Sequence, residues 1–172
     1  MERASSSDAF GLLGLPAQFD LDPLVIERAF HDKSKDLHPD RFASAPASER
    51  VAALSRSRAL NDAYKTLKSP VGRAEYLLAR AGVNIGDNEQ LDPTFLMDIL
   101  ELREELAEAR VAKQTSLIEK LCGDMKSRRK ETLARLPALF ETNDLPAIKV
   151  QLILLRYVDR YLEECDSALD ED

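Results

Sequence analysis

The 172-residue sequence predicts an all-α protein built from two helical modules. Three observations lead there. Glycine is scarce, with 6 residues, while Ala, Leu, Glu, Arg and Lys are plentiful; that balance favours helices over a turn-rich sheet protein. Apolar residues recur three and four positions apart, and no stretch reads convincingly as a strand. A polar, turn-rich stretch, Asn84 to Asp92 (NIGDNEQLD), divides the chain near its middle. The expected organisation is a disordered tail over 1–7, a first module over 8–83, a linker over 84–92 and a second module over 93–172.

Each element has its own start and stop. Phe10 to Leu15 forms a short apolar piece stopped by Pro16. The second helix begins at Asp22-Pro23, an N-cap with proline at the first helical position, and runs to about Leu37. Pro39 stops it, because the residue before a proline avoids the helical region. A loop of small residues, Asp40 to Pro46, follows. The third helix runs from about Ser48 to Lys68, ahead of Ser69-Pro70. The fourth, about Val71 to Arg80, closes on Gly82 as a C′ glycine. Beyond the linker come Pro93 to Arg110, running on with little break into Lys113 to about Phe140, which Pro137 interrupts near its end. Asn143-Asp144 caps the last helix, about Leu145 to Leu169.

Composition excludes several classes. Hydrophobic residues at 44% and charged residues at 32% describe a folded chain, not a disordered one. A net charge of −7 opposes nucleic-acid binding, which needs clustered positive charge, and suits a basic partner. No run of 18 apolar residues offers a membrane span, and the first residues lack the apolar core of a secretory signal. Cys122 and Cys165 stand apart, with no C-x-x-C pair and no histidine at zinc spacing, so they read as two reduced thiols. No cofactor motif is visible.

The helix faces carry more information than the boundaries. On the second helix Ile26, Phe30, Lys33 and Leu37 share one side, while Arg28, His31 and Lys35 share the other. The packing side is expected to meet Leu60, Tyr64 and Leu67 of the third helix. The basic side is either a solvated face or a docking face. On the helix after Pro93, Phe95, Ile99, Leu102 and Leu106 make a sufficient core stripe. Leu96, Met97 and Leu100 lie off it, beside Glu101, Glu104 and Glu108. Two readings fit: a helix buried on two sides, or an apolar and acidic binding surface. The last helix has the same ambiguity, with Val150, Leu154, Tyr157 and Tyr161 on one stripe and Leu145, Ile148, Leu152, Leu155 and Leu162 on another.

Between the second and third helices stands Leu37-His38-Pro39-Asp40-Arg41-Phe42. As a metal site it is poor: His38 and Asp40 supply two ligands, and His31 lies on the opposite helix face. As a catalytic pair it lacks a nucleophile. Its context is more telling. Phe10-Gly11-Leu12-Leu13-Gly14-Leu15, then a helix, His38-Pro39-Asp40, a long helix with Leu60-Asn61-Asp62-Ala63-Tyr64-Lys65-Thr66-Leu67, and Ser69-Pro70 occur in an order that resembles a J domain. That resemblance implies an antiparallel helix pair with short flanking helices, whose loop presents His38, Pro39 and Asp40 to a DnaK-type ATPase chaperone. Arg28, Lys33, Lys35 and Arg41 are the implied charge contacts. Pro39 fixes one backbone angle of the loop, and Asp40 is able to accept from a partner arginine.

Two further stretches narrow the family. Pro70-Val71-Gly72-Arg73-Ala74-Glu75-Tyr76-Leu77-Leu78 and Phe95-Leu96-Met97 with Leu100-Glu101-Leu102-Arg103-Glu104-Glu105-Leu106 are similar to the HscB-type J-domain co-chaperones. The resemblance spans about residues 8 to 168. It implies a C-terminal three-helix bundle that binds the IscU-type scaffold protein of iron–sulfur cluster assembly through Leu96, Met97, Leu100, Glu101, Glu104 and Glu108, with Tyr157 added from the last helix. The implied role is that of a co-chaperone of a DnaK- or HscA-type ATPase, with no cofactor, metal or catalytic residue of its own. The chain departs from general J domains where His31-Asp32 interrupt the basic face. It also lacks the cysteine-rich N-terminal extension of some eukaryotic relatives and the glycine-rich region and zinc module of general J proteins, so the resemblance implies a bacterial-type cytoplasmic protein.

Overall fold

A computed structural model describes residues 8–87 and 89–170 of the chain. The expected tail over 1–7 and the last two acidic residues lie outside the described residues. Every regular element within them is helical. The order is α1 (Ala9–Leu13), α2 (Pro23–Asp36), a 3-10 turn (Pro39–Phe42), α3 (Ala47–Lys68), α4 (Pro70–Arg80), α5 (Pro93–Val111), α6 (Thr115–Glu141) and α7 (Leu145–Asp170). Two compact units divide between Gly82 and Val83.

Five of the seven described α-helices start as short polar side chains dictate, while α3 and α6 have no side-chain cap. Asp8, Asp22, Ser69, Asp92 and Asp144 each accept a hydrogen bond from a backbone N–H one or more residues into the following helix. A proline then fills the first helical position of α2, α4 and α5, where an N–H would be wasted.

The stops differ from the sequence expectation in four places. The first segment ends at Gly14, not Pro16. Gly14 takes φ 70°, and the Gly14 and Leu15 N–H groups close on the Gly11 and Phe10 carbonyls. The helix after Pro93 does not run on: Lys113, at φ 53°, ends α5 with the same pair of bonds, from Lys113 and Gln114 to Arg110 and Ala109. Asn143, also at φ 53°, ends α6 in this way and leaves the capping of α7 to Asp144 alone. Pro137 interrupts nothing, since α6 continues through it to Glu141. Leu136 beside it is fully buried, so tertiary packing holds the last turn that the proline weakens.

Lys113 carries a strained cap. A side chain in the left-handed region costs roughly 1–2 kcal/mol, which glycine avoids while losing part of the gain to chain entropy. Replacing Lys113 by glycine is expected to raise stability by about 0.5–1 kcal/mol in urea denaturation; an unchanged or lower midpoint would show the cap to be unstrained.

In the first unit α3 is the spine, and α1, α2 and α4 pack on it. Phe10, Leu13, Ile26, Leu60 and Leu67 are buried together, with Phe30, Leu37 and Tyr64 half-buried against them. The expected packing of α2 on α3 is therefore present, and Phe30 stacks on Tyr64 at 4.2 Å between ring centroids. Gly72 and Arg73 explain the tight turn from α3 into α4. A Cβ on Gly72 would lie 2.7 Å from the Thr66 carbonyl oxygen, so no other residue fits. The Arg73 guanidinium, 5% exposed, donates to the Leu67 carbonyl at 2.9 Å and lies over the Phe19 ring.

In the second unit α5, α6 and α7 pack as three helices joined by tight turns. Phe95, Ile99, Leu106, Ile118, Leu121, Met125, Val158 and Tyr161 share the core. Tyr161 is fully buried and its hydroxyl donates to the Leu102 carbonyl at 3.2 Å. The Cys122 and Cys165 thiols meet inside this core as free cysteines. Burial first, then the hydrogen bond between them, push the Cys165 thiol well up, so it is unreactive. Residues 83–92 belong to this unit: Glu89 accepts from Lys149 of α7 at 2.8 Å and from the Gly86 N–H at 2.7 Å.

Candidate functional site

His38-Pro39-Asp40 is held as a turn by its own side chains. His38 is extended (φ −62°, ψ 134°), as a residue before proline must be, and it caps the 3-10 turn. Its Nδ1 accepts from the Asp40 N–H at 3.3 Å. The same nitrogen lies 3.5 Å from the Asp40 carboxylate, and the rest of the ring faces solvent. With Nδ1 accepting, a neutral ring carries its proton on Nε2, on the outer side. The Asp40 side chain is 91% exposed. A carboxylate so placed is already ordered by its backbone and still open to a partner's guanidinium.

The four cations predicted around it fall into two groups. Arg28, Lys33, Lys35 and Arg41 are all exposed. Arg41 is bound to Asp36 at 2.7 Å, which ties the turn to the end of α2, and Lys35 is bound to Asp32 at 3.1 Å. Arg28 and Lys33 make no ion pair among the described residues. The sequence reading missed the two carboxylate partners, although the Asp32–Lys35 spacing of three is itself a signal. His31 turns to Glu27 at 3.8 Å, away from His38, and no three His, Cys, Asp or Glu side chains among the described residues are grouped to hold a metal ion.

The second predicted surface lies on α5. Its core side is Phe95, Ile99 and Leu106, with Leu102 half-buried. Leu96, Met97 and Leu100 are exposed at 39%, 62% and 52%. Glu101, Glu104 and Glu108 are exposed beside them. The helix is thus not buried on two sides within the unit, and its outer face is apolar and acidic. Tyr157 is half-buried, and its ring meets that of Phe95 on α5 in a T-shaped pair, 6.2 Å between centroids. Of the two stripes on α7, Ile148, Leu152 and Leu155 of one and Tyr161 of the other are buried, and Val150 is exposed.

Charge separates the two surfaces. Residues 8–82 hold eleven Lys and Arg against ten Asp and Glu, whereas 83–172 hold twelve against twenty. The −7 of the chain therefore sits in the second unit, and the first is close to neutral.

The HSCB C-terminal oligomerisation domain family matches residues 91–166. The co-chaperone protein HscB homolog of Bordetella petrii is 36% identical, over 95% of this chain and 97% of its own. The chaperone HscB from Vibrio cholerae has a similar structure, with TM-score 0.85 and 33% identity over 95% of this chain and 98% of its own. Human co-chaperone protein HscB superposes with TM-score 0.87 at 28% identity, over 96% of this chain and 83% of its own. The fold is a J domain followed by a helical C-terminal domain, and no described helix is long and apolar enough to cross a membrane. Full-length similarity at this level, carried on both units at once, shows that the chain belongs to the HscB family of co-chaperones.

Proposed function

We propose that this protein stimulates the ATPase of a DnaK- or HscA-type chaperone and brings it the IscU-type scaffold on which iron–sulfur clusters are assembled. The observation that carries the reading is the His38-Pro39-Asp40 turn, ordered from within and open to solvent at Asp40. Such a group performs no chemistry on a substrate. It binds one state of the partner better than another and so shifts that partner toward hydrolysis and closure on its client. Asp40 accepts from a partner arginine, and His38 positions Asp40 through the backbone N–H that it caps. Arg28 and Lys33, with Lys35 and Arg41 behind their own carboxylates, steer an acidic surface of the ATPase domain onto α2.

The scaffold binds the outer face of α5. Met97, Leu100 and Leu96 supply apolar anchors, Glu101, Glu104 and Glu108 attract a basic rim, and Tyr157 supports them through Phe95. The protein acts in the cytoplasm, where thiols such as Cys122 and Cys165 stay reduced. It is not itself an enzyme, and it binds neither nucleic acid nor membrane.

The test is the steady-state ATPase rate of a DnaK-type chaperone with this protein, with an IscU-type scaffold, and with both. The rate is expected to rise with this protein, rise further with the scaffold, and return to the basal value with His38→Gln, whose thermal melt should match the wild type. A rate that neither addition changes, across general and dedicated chaperones, would remove the proposal and leave a J-domain fold without the activity.

A further inference from the structure

A groove that the function above does not use lies beside the His38 turn. The end of α2, the 3-10 turn and the first half of α3 line it with Leu37, Phe42, Arg50, Ala53, Leu54 and Ser57. Its volume is about 220 Å3. An apolar cavity of roughly 150 Å3 accepts a benzene ring, and sites for small-molecule ligands start at roughly 300 Å3. The groove therefore holds one branched or aromatic side chain and is too small for a metabolite.

Its rim is unusual for a surface that stays in water. Leu54 is 53% exposed, and Val51, one turn before it, is 68% exposed. Single exposed apolar residues are ordinary, but Leu54 lines an apolar groove and Val51 lies three residues before it on the same helix, so the exposed apolar surface there exceeds one side chain. Arg50 stands at the same lip, exposed, with its guanidinium in no hydrogen bond or ion pair among the described residues.

We infer that this groove is a socket for one apolar side chain of the ATPase chaperone, and that Arg50 meets a carboxylate next to that side chain. The inference rests on the co-chaperone reading and gives it a second anchor. Continuity supports it: Phe42 ends the turn that starts at His38 and also lines the groove, so a partner seated on Asp40 lies within two residues of the socket. Charge supports it as well. Arg28 and Lys33 on α2 and Arg50 on α3 leave cations on both sides of the turn, so the complementary surface is an apolar knob surrounded by carboxylates. Asp40 then fixes the register of docking, and the socket contributes residence time, since a buried apolar anchor acts mostly on dissociation.

The experiment is a titration of a DnaK-type ATPase with the full chain, comparing wild type with Leu54→Glu, Leu54→Met and Arg50→Glu, with His38→Gln as control. Leu54→Glu is expected to raise the half-saturating concentration about 10-fold with the maximal rate retained, as loss of one hot-spot anchor does. Leu54→Met should titrate like wild type. Arg50→Glu should raise the half-saturating concentration less and flatten its dependence on salt. If Leu54→Glu titrates like wild type while His38→Gln loses stimulation, the socket is refuted and the co-chaperone reading stands. If wild type gives no stimulation, both fall together. If Leu54→Glu changes instead the oligomeric state on sedimentation, the groove joins copies of this chain and the inference is wrong. Leu54 and Arg50 are exposed, so neither change should move the thermal melt, and Arg50→Glu decides if Leu54→Glu does.

Discussion

Replacing Phe10 by alanine is expected to destabilise the first unit by about 4 kcal/mol, near the middle of the range for removing a fully buried aromatic ring. The helix that carries Phe10 has five residues, far fewer than a helix needs to persist in water. It exists because of what it touches. Phe10 is entirely buried among Leu13, Ile26, Leu60 and Leu67, and its ring meets Tyr76 at 5.8 Å. The Arg80 guanidinium lies 5.9 Å over the same ring and pairs with Asp8 at 3.2 Å, while the Tyr76 hydroxyl accepts from the Ala9 N–H at 2.9 Å. Without the ring, a cavity opens where α1, α2 and α3 meet, and the contacts between α1 and α4 lose their common partner. The measurement is native-state hydrogen exchange of the α3 amides from Leu60 to Leu67, which reports this unit and not the other. A loss below 1 kcal/mol would mean that α1 is peripheral and that α2, α3 and α4 fold without it.

The helical order was legible in the sequence because most helix starts are written in side chains that act locally, although α3 and α6 begin without a side-chain cap. Asp22-Pro23, Ser69-Pro70 and Asp92-Pro93 satisfy or remove N–H groups within a few residues, so no distant information is needed. Helix ends are less local. Gly82 was readable as a stop because glycine takes positive φ freely. Lys113 and Asn143 adopt the same conformation without that mark, held by the bonds from the next residues back to Ala109 and Leu139. Asn143 in particular looks like a start when read beside Asp144. Pro137 was misread for a related reason. A proline weakens a helix by removing one bond, and burial of Leu136 outweighs that cost, yet burial is a property of the packed unit.

The candidate site divides in the same manner. The tripeptide and the cations of α2 were visible as spacing on one helix and one loop. That Arg41 is engaged by Asp36, and Lys35 by Asp32, became visible only with side chains in place, so Arg28 and Lys33 are the cations most free to act on a partner. The groove beside Phe42 was not legible at all. Its lining comes from three elements that only the packing of α2 on α3 brings together, and Leu54 looks in isolation like any apolar residue at a helical spacing. The outer face of α5 was half legible. Periodicity separated Leu96, Met97 and Leu100 from the core stripe, and their exposure decided between a second buried side and an open surface.

The double replacement of Met97 and Leu100 by serine is expected to weaken binding of an IscU-type scaffold about 100-fold, the effect of losing two apolar anchors at the centre of an interface. Calorimetric titration measures it. The same protein should melt within about 0.5 kcal/mol of wild type, because both side chains are already more than half exposed and their removal opens no cavity. Ile99, two positions from Met97 and 1% exposed, provides the contrast: Ile99→Ser should unfold the second unit rather than act on binding. Replacing Glu104 and Glu108 by glutamine should lower the association rate and its salt dependence while leaving the dissociation rate nearly unchanged, since exposed rim charges steer more than they hold. These outcomes separate anchor from guide on one helix face. They also separate the two units in function. The Met97/Leu100 variant retains His38, Pro39 and Asp40, so it should still raise the ATPase rate alone and lose only the further rise given by the scaffold. If scaffold affinity survives the double replacement, the partner sits elsewhere on the acidic unit and the exposed side chains of α5 need another explanation. If affinity falls and the additional stimulation persists, the scaffold reaches the chaperone without being carried, and the two surfaces act independently.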